Sequence, residues 1–181
     1  MAVLGKNCFI FEKTGRQCEV SAYSPDIAST HLPIVDAAIV YDCPYTLSSN
    51  LMIVCNAPYV EAMEHNLIPP FLLREAGILV DECPKMHYLN PSIENHSLYF
   101  KDAKLRIHLK LNGVFSYFHH RSPTHEEIDN LDVLFLTPDS PGWDPNKSHF
   151  ASTEDLFVDY DGSLVERPAK KRRLIIDPDD S

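Results

Sequence analysis

Residues 105–118 constrain the fold of this chain more than any other part of its sequence. From Leu105 to Leu111, apolar and polar residues alternate without a break. Successive side chains of a β-strand point to opposite faces, so this pattern places one face in a core and the other in solvent. Asn112 and Gly113 then suit a two-residue type I′ turn, because both central residues of that turn need a positive φ. With residues 114–118 as the returning strand, the segment predicts a β-hairpin.

Other parts of the chain carry further strand patterns. Residues 7–22 predict a hairpin with its turn at residues 13–16, since Cys18 and Val20 alternate with polar residues after Gly15. A Ser/Pro/Asp-rich stretch around Pro25 follows as a loop. Apolar runs of strand length predict buried strands in the rest of the chain. The predicted strands cover residues 32–41, 51–55, 78–81 and 133–137.

Two short segments favour helix instead. Residues 70–76 begin with a proline, which the first helical turn tolerates, and are followed by Gly77, which suits the left-handed position after a helix. Thr124 and Glu127 have the spacing of a capping box, which favours a turn of helix after Thr124. Only residues 70–76 are counted as a helix in the predicted fold.

Charge and apolar content limit the classes of partner. The formal net charge is −10, whereas binding to nucleic acid or an anionic membrane requires clustered Lys and Arg. No apolar run approaches the ~20 residues that span a bilayer, and the first residues lack the pattern of a secretory leader. The five cysteines, without a C-x-x-C pair, indicate reduced thiols, several of them in the core. We therefore expect an intracellular protein, cytoplasmic or nuclear.

Motifs for common cofactors and catalytic sites are missing from the sequence. Its six glycines are too far apart for a phosphate-binding loop, and it has neither a G-x-S-x-G elbow nor an H-E-x-x-H pair. A Cys–His nucleophile pair stays open, without local sequence support. The densest group of potential metal ligands would diverge, because adjacent strand residues point to opposite faces. That group is His119, His120, His125, Glu126 and Glu127. We expect no cofactor and no metal site.

The C-terminal part differs in composition from the rest. Residues 126–161 contain ten acidic residues and one basic residue, Lys147. Residues 166–181 have the composition of a disordered tail. This tail contains the basic cluster Lys170, Lys171, Arg172 and Arg173. The cluster is consistent either with a nuclear import signal or with an ordinary solvated run of charge.

Residues 56–80 resemble the retropepsin-type protease region of copia-type retrotransposon polyproteins. The resemblance rests on Tyr59-Val60, the start Asn66-Leu67-Ile68, a short helix, and Gly77 before the next strand. It continues through residues 91–100 and 105–118, and includes Leu136-Thr-Pro and Trp143-Asp-Pro, so that it covers about residues 3–164. Such a resemblance implies an aspartic protease fold, in which two subunits each supply one catalytic aspartate.

The chain departs from that family at the catalytic motif. Family members carry an Asp-Ser/Thr-x-Ala turn shortly before a stretch like residues 3–7, but here the chain begins at Met1. Two aspartates sharing a proton are needed to activate water. Asp36 lies in an apolar run that superficially resembles the active-site strand, but Ala37 and Ala38 replace the hydroxyl residue and the glycine. We therefore assign no catalytic residue, and expect an N-terminally truncated protease region.

Together these observations predict a mainly β protein: an incomplete retropepsin-like β-barrel with one short helix, an extra hairpin and an acidic C-terminal extension. The predicted divisions are residues 1–120, 121–165 and 166–181. The expected function is that of a catalytically silent, retroelement-derived protein that binds a protein partner or forms a weak homodimer. The alternatives are a clipped aspartic endopeptidase that would process a retroelement polyprotein, and a nuclear adaptor addressed by residues 170–173.

Overall fold

Strands dominate the part of the chain that the computed structural model describes, namely residues 1–21, 28–139, 142–147 and 154–165. The protein is mainly β, and its described strands do not close into a barrel. The chain divides into two compact units, Met1–Pro145 and Asn146–Ser181. The predicted loop around Pro25 and the tail at residues 166–181 lie outside the described residues.

The largest sheet has four strands. Strand β1 (Phe9–Val20) runs antiparallel to β2 (Thr30–Asp42), and β2 runs antiparallel to β3 (Ser49–Pro58). Strand β9 (Val133–Phe135), the last among the described residues, pairs in parallel with β3. The strand order is therefore β1-β2-β3-β9. This confirms the predicted strands at residues 32–41, 51–55 and 133–137, which differ from the observed ones in length.

Strands β2 and β3 form the centre of the core. On one face of the sheet, Ala38, Val40, Leu51, Ile53 and Cys55 form a buried cluster, against which Leu131 packs. On the other face, neighbouring residues are equally buried: Ala37, Ile39, Met52 and Val54 are at most 1% exposed. Burying a side chain of this size contributes about 1.5–3 kcal/mol. The unbroken apolar runs in these strands follow from burial on both faces.

Strand β1 corrects the predicted hairpin at residues 7–22. The chain does not turn at residues 13–16; both halves pair with β2, and the extra residues form a bulge between the pairs Lys13↔Val35 and Gln17↔Pro33. Gly15 has a φ of 77° in this bulge, a conformation that glycine adopts without steric cost. The Thr14 hydroxyl donates to the Ile34 carbonyl at 2.7 Å. Strand β2 is long enough to pair with both halves of β1.

Two smaller sheets follow. Strands β4 (Leu79–Asp81), β5 (Ser97–Phe100) and β6 (Leu105–His108) form an antiparallel sheet in that order. Strands β7 (Lys110–Asn112) and β8 (Phe115–Tyr117) form a two-stranded ribbon. The predicted alternation holds over β6, where Leu105 and Ile107 are buried, but not beyond it, because Leu109 and Leu111 are only half-buried. The predicted single strand 105–111 divides, because β6 pairs with β5 while β7 pairs with β8.

The turn of the ribbon differs by one residue from the prediction. Asn112 pairs with Phe115, so the two central residues are Gly113 and Val114 rather than Asn112 and Gly113. Gly113 has a φ of 61°, whereas Val114 is not among the residues with positive φ. A positive φ at the first central residue alone is typical of a type II′ turn. The hairpin prediction is confirmed and its type I′ turn is wrong.

The described residues of the first unit form two short α-helices, not one. Helix α1 (Pro70–Glu75) begins with proline and is followed by Gly77 at a φ of 89°, as predicted. Helix α2 (His125–Asn130) has the complete capping box: Glu127 N–H donates to Thr124 Oγ1, and Thr124 N–H donates to the Glu127 carboxylate. The capping box of Thr124 and Glu127 therefore begins a second helix, which the predicted fold did not include.

In the second unit, the described residues include a 3₁₀ turn (Glu154–Phe157) and a tight reversal. Val158 bridges Leu164, and Val165 N–H donates to the Phe157 carbonyl at 2.9 Å.

Candidate functional site

The N-terminal residues are held between two segments of the region that carries the family resemblance. Val3 exchanges two backbone hydrogen bonds of 2.8 Å with Leu67. On the other side, Leu4 N–H donates to the Pro58 carbonyl, and Val60 N–H donates to the Leu4 carbonyl. Leu4 is completely buried. We call this arrangement of residues 3–5 between residues 58–60 and 66–67 the N-terminal clamp.

The clamp is completed by one side chain. Asn66 Oδ1 accepts from the Gly5 N–H at 2.8 Å. Gly5 packs so tightly that a Cβ atom there would lie 2.3 Å from the Met63 carbonyl oxygen. The sequence singled out Asn66 only as the start of the Asn-Leu-Ile segment, and its contact with Gly5 gives that position a structural role.

His120 approaches the clamp through the same side chain. Its Nε2 lies 3.1 Å from Asn66 Nδ2, and its Nδ1 is buried without a hydrogen-bond partner. Burial, followed by the neighbouring His119 and His65, lowers the pKa of His120. An amide N–H₂ group can only donate, so Nε2 accepts and the Nδ1 atom carries the proton of the neutral ring.

A second polar cluster lies where β3 ends and is centred on Asn56, which is 1% exposed and has a φ of 54°. Asn56 Oδ1 accepts from Arg16 Nη2 at 2.6 Å, and its Nδ2 donates to the Trp143 carbonyl. Arg16 Nη1 pairs with Asp144 Oδ2 at 2.9 Å. The cluster joins residues that are distant in the sequence. It ties strands β1 and β3 to residues 143–144.

Asp36 belongs to the same region. Its Oδ1 accepts from the Asn56 N–H at 2.7 Å, and Asp36 lies at an irregularity in the pairing of β2 with β3. Ala37 and Ala38 beside it are buried. The contact gives Asp36 the role of an acceptor for the left-handed residue Asn56, which the sequence could not indicate.

Cys55 next to this cluster is not an activated nucleophile. Burial, and then the carboxylates of Asp36 and Asp139, raises the pKa of Cys55 to about 12. Its thiolate, the reactive form, is therefore disfavoured. Its backbone N–H donates to the buried Thr137 hydroxyl at 2.8 Å. All five cysteines are free thiols, and Cys18, Cys43 and Cys55 are buried, in agreement with the predicted core thiols.

The histidines of residues 119–125 make separate contacts. His119 stacks edge-on against Tyr117, His120 contacts Asn66, and His125 lies edge-on against Phe9 with 6.1 Å between ring centroids. Glu127 caps helix α2 and pairs with Arg121. Among the described residues, no group of three or more His, Cys, Asp or Glu side chains is placed to hold a metal ion.

The sequence therefore singled out residues that serve separate structural contacts and missed the two clusters. Lys170, Lys171, Arg172 and Arg173 lie outside the described residues. Asn56 and Asp144 fall within the family resemblance and Arg16 in no motif of its own, and only the folded chain brings the three together. The one available signal was Asn56 itself, a polar residue at the end of an unbroken apolar run.

Comparison with known proteins adds no relative: no protein-family model, no curated protein and no solved structure matches this chain. Within the described residues, no helix has the length and apolar character needed to cross a membrane.

Proposed function

We propose that this chain is a retropepsin-like protein of retroelement origin that acts by pairing with a protein partner and not by hydrolysing peptides itself. The observation that carries the proposal is the N-terminal clamp. Residues 56–80, on which the family resemblance rests, are the residues that hold Val3, Leu4 and Gly5 in place. The family's catalytic strand would enter the fold immediately before these three residues.

The hydrogen bond that Asp36 makes supports a chain that binds a partner rather than one that hydrolyses peptides. A catalytic aspartate of this class needs a second carboxylate with which it shares a proton. Asp36 instead accepts a hydrogen bond from the Asn56 backbone, and its neighbours Ala37 and Ala38 offer no hydroxyl group. We assign to Asp36 a structural role in this proposal.

Exposed apolar side chains beside the clamp support a partner at this position. Leu67, which pairs with Val3, is 57% exposed, and Met1 is 49% exposed. The bridge between Val3 and Leu67 places Leu67 opposite a residue two positions from Met1, and contiguous exposed apolar surface is typical of interaction sites. A partner subunit of similar fold would cover them.

The test compares the chain with a version that carries an added strand ending in Asp-Thr-Gly-Ala ahead of Met1. Each protein is assayed alone and in mixtures for cleavage of an unfolded polypeptide such as casein, with and without the aspartic protease inhibitor pepstatin. We expect the extended version to cleave and pepstatin to stop it. We also expect the original chain to be inactive alone and to inhibit the extended version, because mixed pairs contain one aspartate.

A matched pair of variants locates the contact. Leu67→Ser in the original chain should weaken the inhibition, whereas Leu89→Ser should not, because Leu89 is equally apolar and 94% exposed but is not part of the clamp. An inactive extended version would overturn the retropepsin-like assignment. If the extended version is active but an excess of the original chain fails to inhibit it, the proposed pairing is wrong. If the original chain itself shows pepstatin-sensitive cleavage, the proposed lack of catalytic activity is wrong.

A further inference from the structure

The outer face of the three-stranded sheet presents an ordered set of side chains. Leu79 on β4, Tyr99 on β5 and Arg106 on β6 are directly opposite one another in the strand pairing. Their side chains therefore lie in one row on the same face of the sheet. The next row on this face is Asp81, Ser97 and His108. The opposite face is the core side, where Leu98 and Ile107 are buried.

An open cleft of about 640 Å³ lies over this face. The residues that line it include Leu79, Tyr99 and Arg106 of the sheet, Arg74 of helix α1, and Glu94 and Asn95. The volume is in the range of pockets that hold small organic molecules. Leu79 is 50% exposed and supplies apolar surface.

Arg106 is fixed in position without an acidic partner. Its guanidinium lies 4.5 Å from the centre of the Tyr99 ring, and Nη1 donates to the Ser97 hydroxyl at 2.7 Å. None of the ion pairs among the described residues includes Arg106. A guanidinium has five N–H donors in a fork that matches the two oxygens of a carboxylate. A preorganised fork of this kind loses little entropy on binding an anion.

Of the other charged groups in the cleft, Arg74 is already paired, and the carboxylates of Asp81 and Glu94 repel anions in proportion to their charge. Arg74 pairs with Glu82 at 2.6 Å. Asp81 accepts from the Tyr88 hydroxyl at 2.6 Å and from Asn95 Nδ2 at 3.1 Å. The carboxylates of Asp81 and Glu94 would repel a doubly charged phosphate more strongly than a singly charged carboxylate.

The electrostatic effect of Arg106 on its neighbour agrees with this picture. Burial first, and then the charges of Lys85 and Arg106, lowers the pKa of His108. His108 occupies the second row of the same face. The charge of Arg106 therefore extends to His108, while the carboxylates of Asp81 and Glu94 also line the cleft.

We infer that this cleft binds a small organic carboxylate, whose two oxygens accept from Arg106 and whose apolar part contacts Leu79. This inference is independent of the proposed pairing at the N-terminal clamp. Tyr99 and Ser97 act as positioning residues, because they hold the guanidinium in its orientation.

The test uses benzoate as the probe, with inorganic phosphate and sodium chloride at equal ionic strength as comparisons. Binding is followed by NMR, from the Arg106 Nε–H signal and from backbone signals of residues 77–81 and 94–97. We expect saturable shifts confined to these residues. Arg106→Gln should weaken binding about tenfold or more, because a charge-assisted pair contributes about 1.5–3 kcal/mol. Arg106→Lys should weaken binding less than Arg106→Gln does, since lysine keeps the charge without the fork.

The control is Lys101→Gln, which removes one positive charge from the exposed turn between β5 and β6, outside the cleft. It should bind benzoate as the original protein does. Three results would overturn the inference: no saturation up to about 20 mM benzoate, saturation by phosphate at equal affinity, or equal weakening by Lys101→Gln. The wild-type titration needs no variant, so a folding defect cannot obscure the first two.

Discussion

Arg121 forms a two-bond ion pair with Asp42: its Nε and Nη2 atoms lie 2.7 and 3.1 Å from the two carboxylate oxygens. The same guanidinium donates to the Glu127 carboxylate. Because Arg121 also exchanges two backbone hydrogen bonds with Val40, it ties the capping box of helix α2 to the central strand β2. One exposed arginine thus connects a helix and a sheet.

This contact predicts that the protein loses stability when the pH falls into the acid range. The hydrogen bonds from Arg121 lower the pKa of Asp42 and lower that of Glu127 to about 2. Carboxyl groups in the unfolded chain titrate near 4, so the unfolded state takes up protons first. The stabilisation is therefore present above about pH 4 and is lost as the pH falls towards 2.

Arg121→Gln should lower the thermal midpoint by a few degrees at pH 7, and the difference from the original protein should shrink below pH 4. Thermal unfolding followed by circular dichroism across this range measures it. Lys101→Gln, which removes an exposed charge without an ion pair, is the control. A constant difference from pH 7 to pH 2 would contradict the assignment to these carboxylates.

Three histidines predict a separate loss of stability at a higher pH. Burial lowers the pKa of His96, His108 and His120. The unfolded chain, whose histidines titrate near 6.5, then binds protons that the folded chain does not. Stability should be complete above about pH 6.5 and fall as the pH decreases below it.

His120→Gln should flatten this dependence, because its Nδ1 is buried without a partner. Urea unfolding at pH 7.5 and pH 5.5 measures the slope, with His31→Gln at an exposed position as the control. A slope unchanged by His120→Gln would show that the other two histidines account for the effect.

Gly5 should tolerate no side chain. An added Cβ would lie 2.3 Å from the Met63 carbonyl oxygen and 2.8 Å from its carbon, both of them backbone atoms that cannot rotate away. Gly5→Ala should cost about 1–3 kcal/mol, as other overpacked sites do. Denaturant unfolding measures this cost, and Lys6→Ala at the exposed neighbouring position is the control. Equal stability of the two variants would show that the N-terminal clamp moves freely.

Asn56 combines two roles that substitution can separate. Asn56→Ala should destabilise the protein by about 2–4 kcal/mol, because the Trp143 carbonyl loses its donor and Arg16 loses one of its two acceptors. Asn56→Gly should recover about 0.5–1 kcal/mol of this loss, since glycine adopts a φ of 54° without the steric cost that the Cβ atom of alanine adds. If the Asn56→Ala variant were as stable as the Asn56→Gly variant, the positive φ at this position would not be retained in solution.

The basic cluster remains a prediction about the tail. Changing Lys170, Lys171, Arg172 and Arg173 together to alanine should reduce nuclear accumulation of a fluorescently tagged protein if these residues act as an import signal. The original tagged chain is the comparison. An unchanged distribution would end the nuclear adaptor hypothesis.

Local patterns predicted individual elements well and pairings poorly. The alternation at Leu105 and Ile107, the proline before helix α1 and the spacing of Thr124 and Glu127 each depend on a few neighbouring residues. The hairpin at residues 7–22 failed because β2 was a longer partner than either half of β1. A local pattern contains no information about such a competition between partners.

Local sequence patterns could not predict the candidate sites for the same reason. The contacts of Arg16 with Asn56 and Asp144 join positions far apart in the sequence, and the cleft depends on the register of β4, β5 and β6. The sequence did correctly place buried thiols in the core, because apolar runs around Cys55 indicate burial without any knowledge of pairing.

The parallel pairing of β3 with β9 has a consequence for synthesis on the ribosome. Strand β3 is complete at Pro58, but Val133–Phe135 leaves the exit tunnel only after the smaller sheets have been made. Throughout this interval the nascent chain carries the apolar edge of β3 uncovered, and uncovered strand edges pair with other chains. Slower translation across residues 59–132 would therefore lengthen the period in which a chaperone must protect this edge.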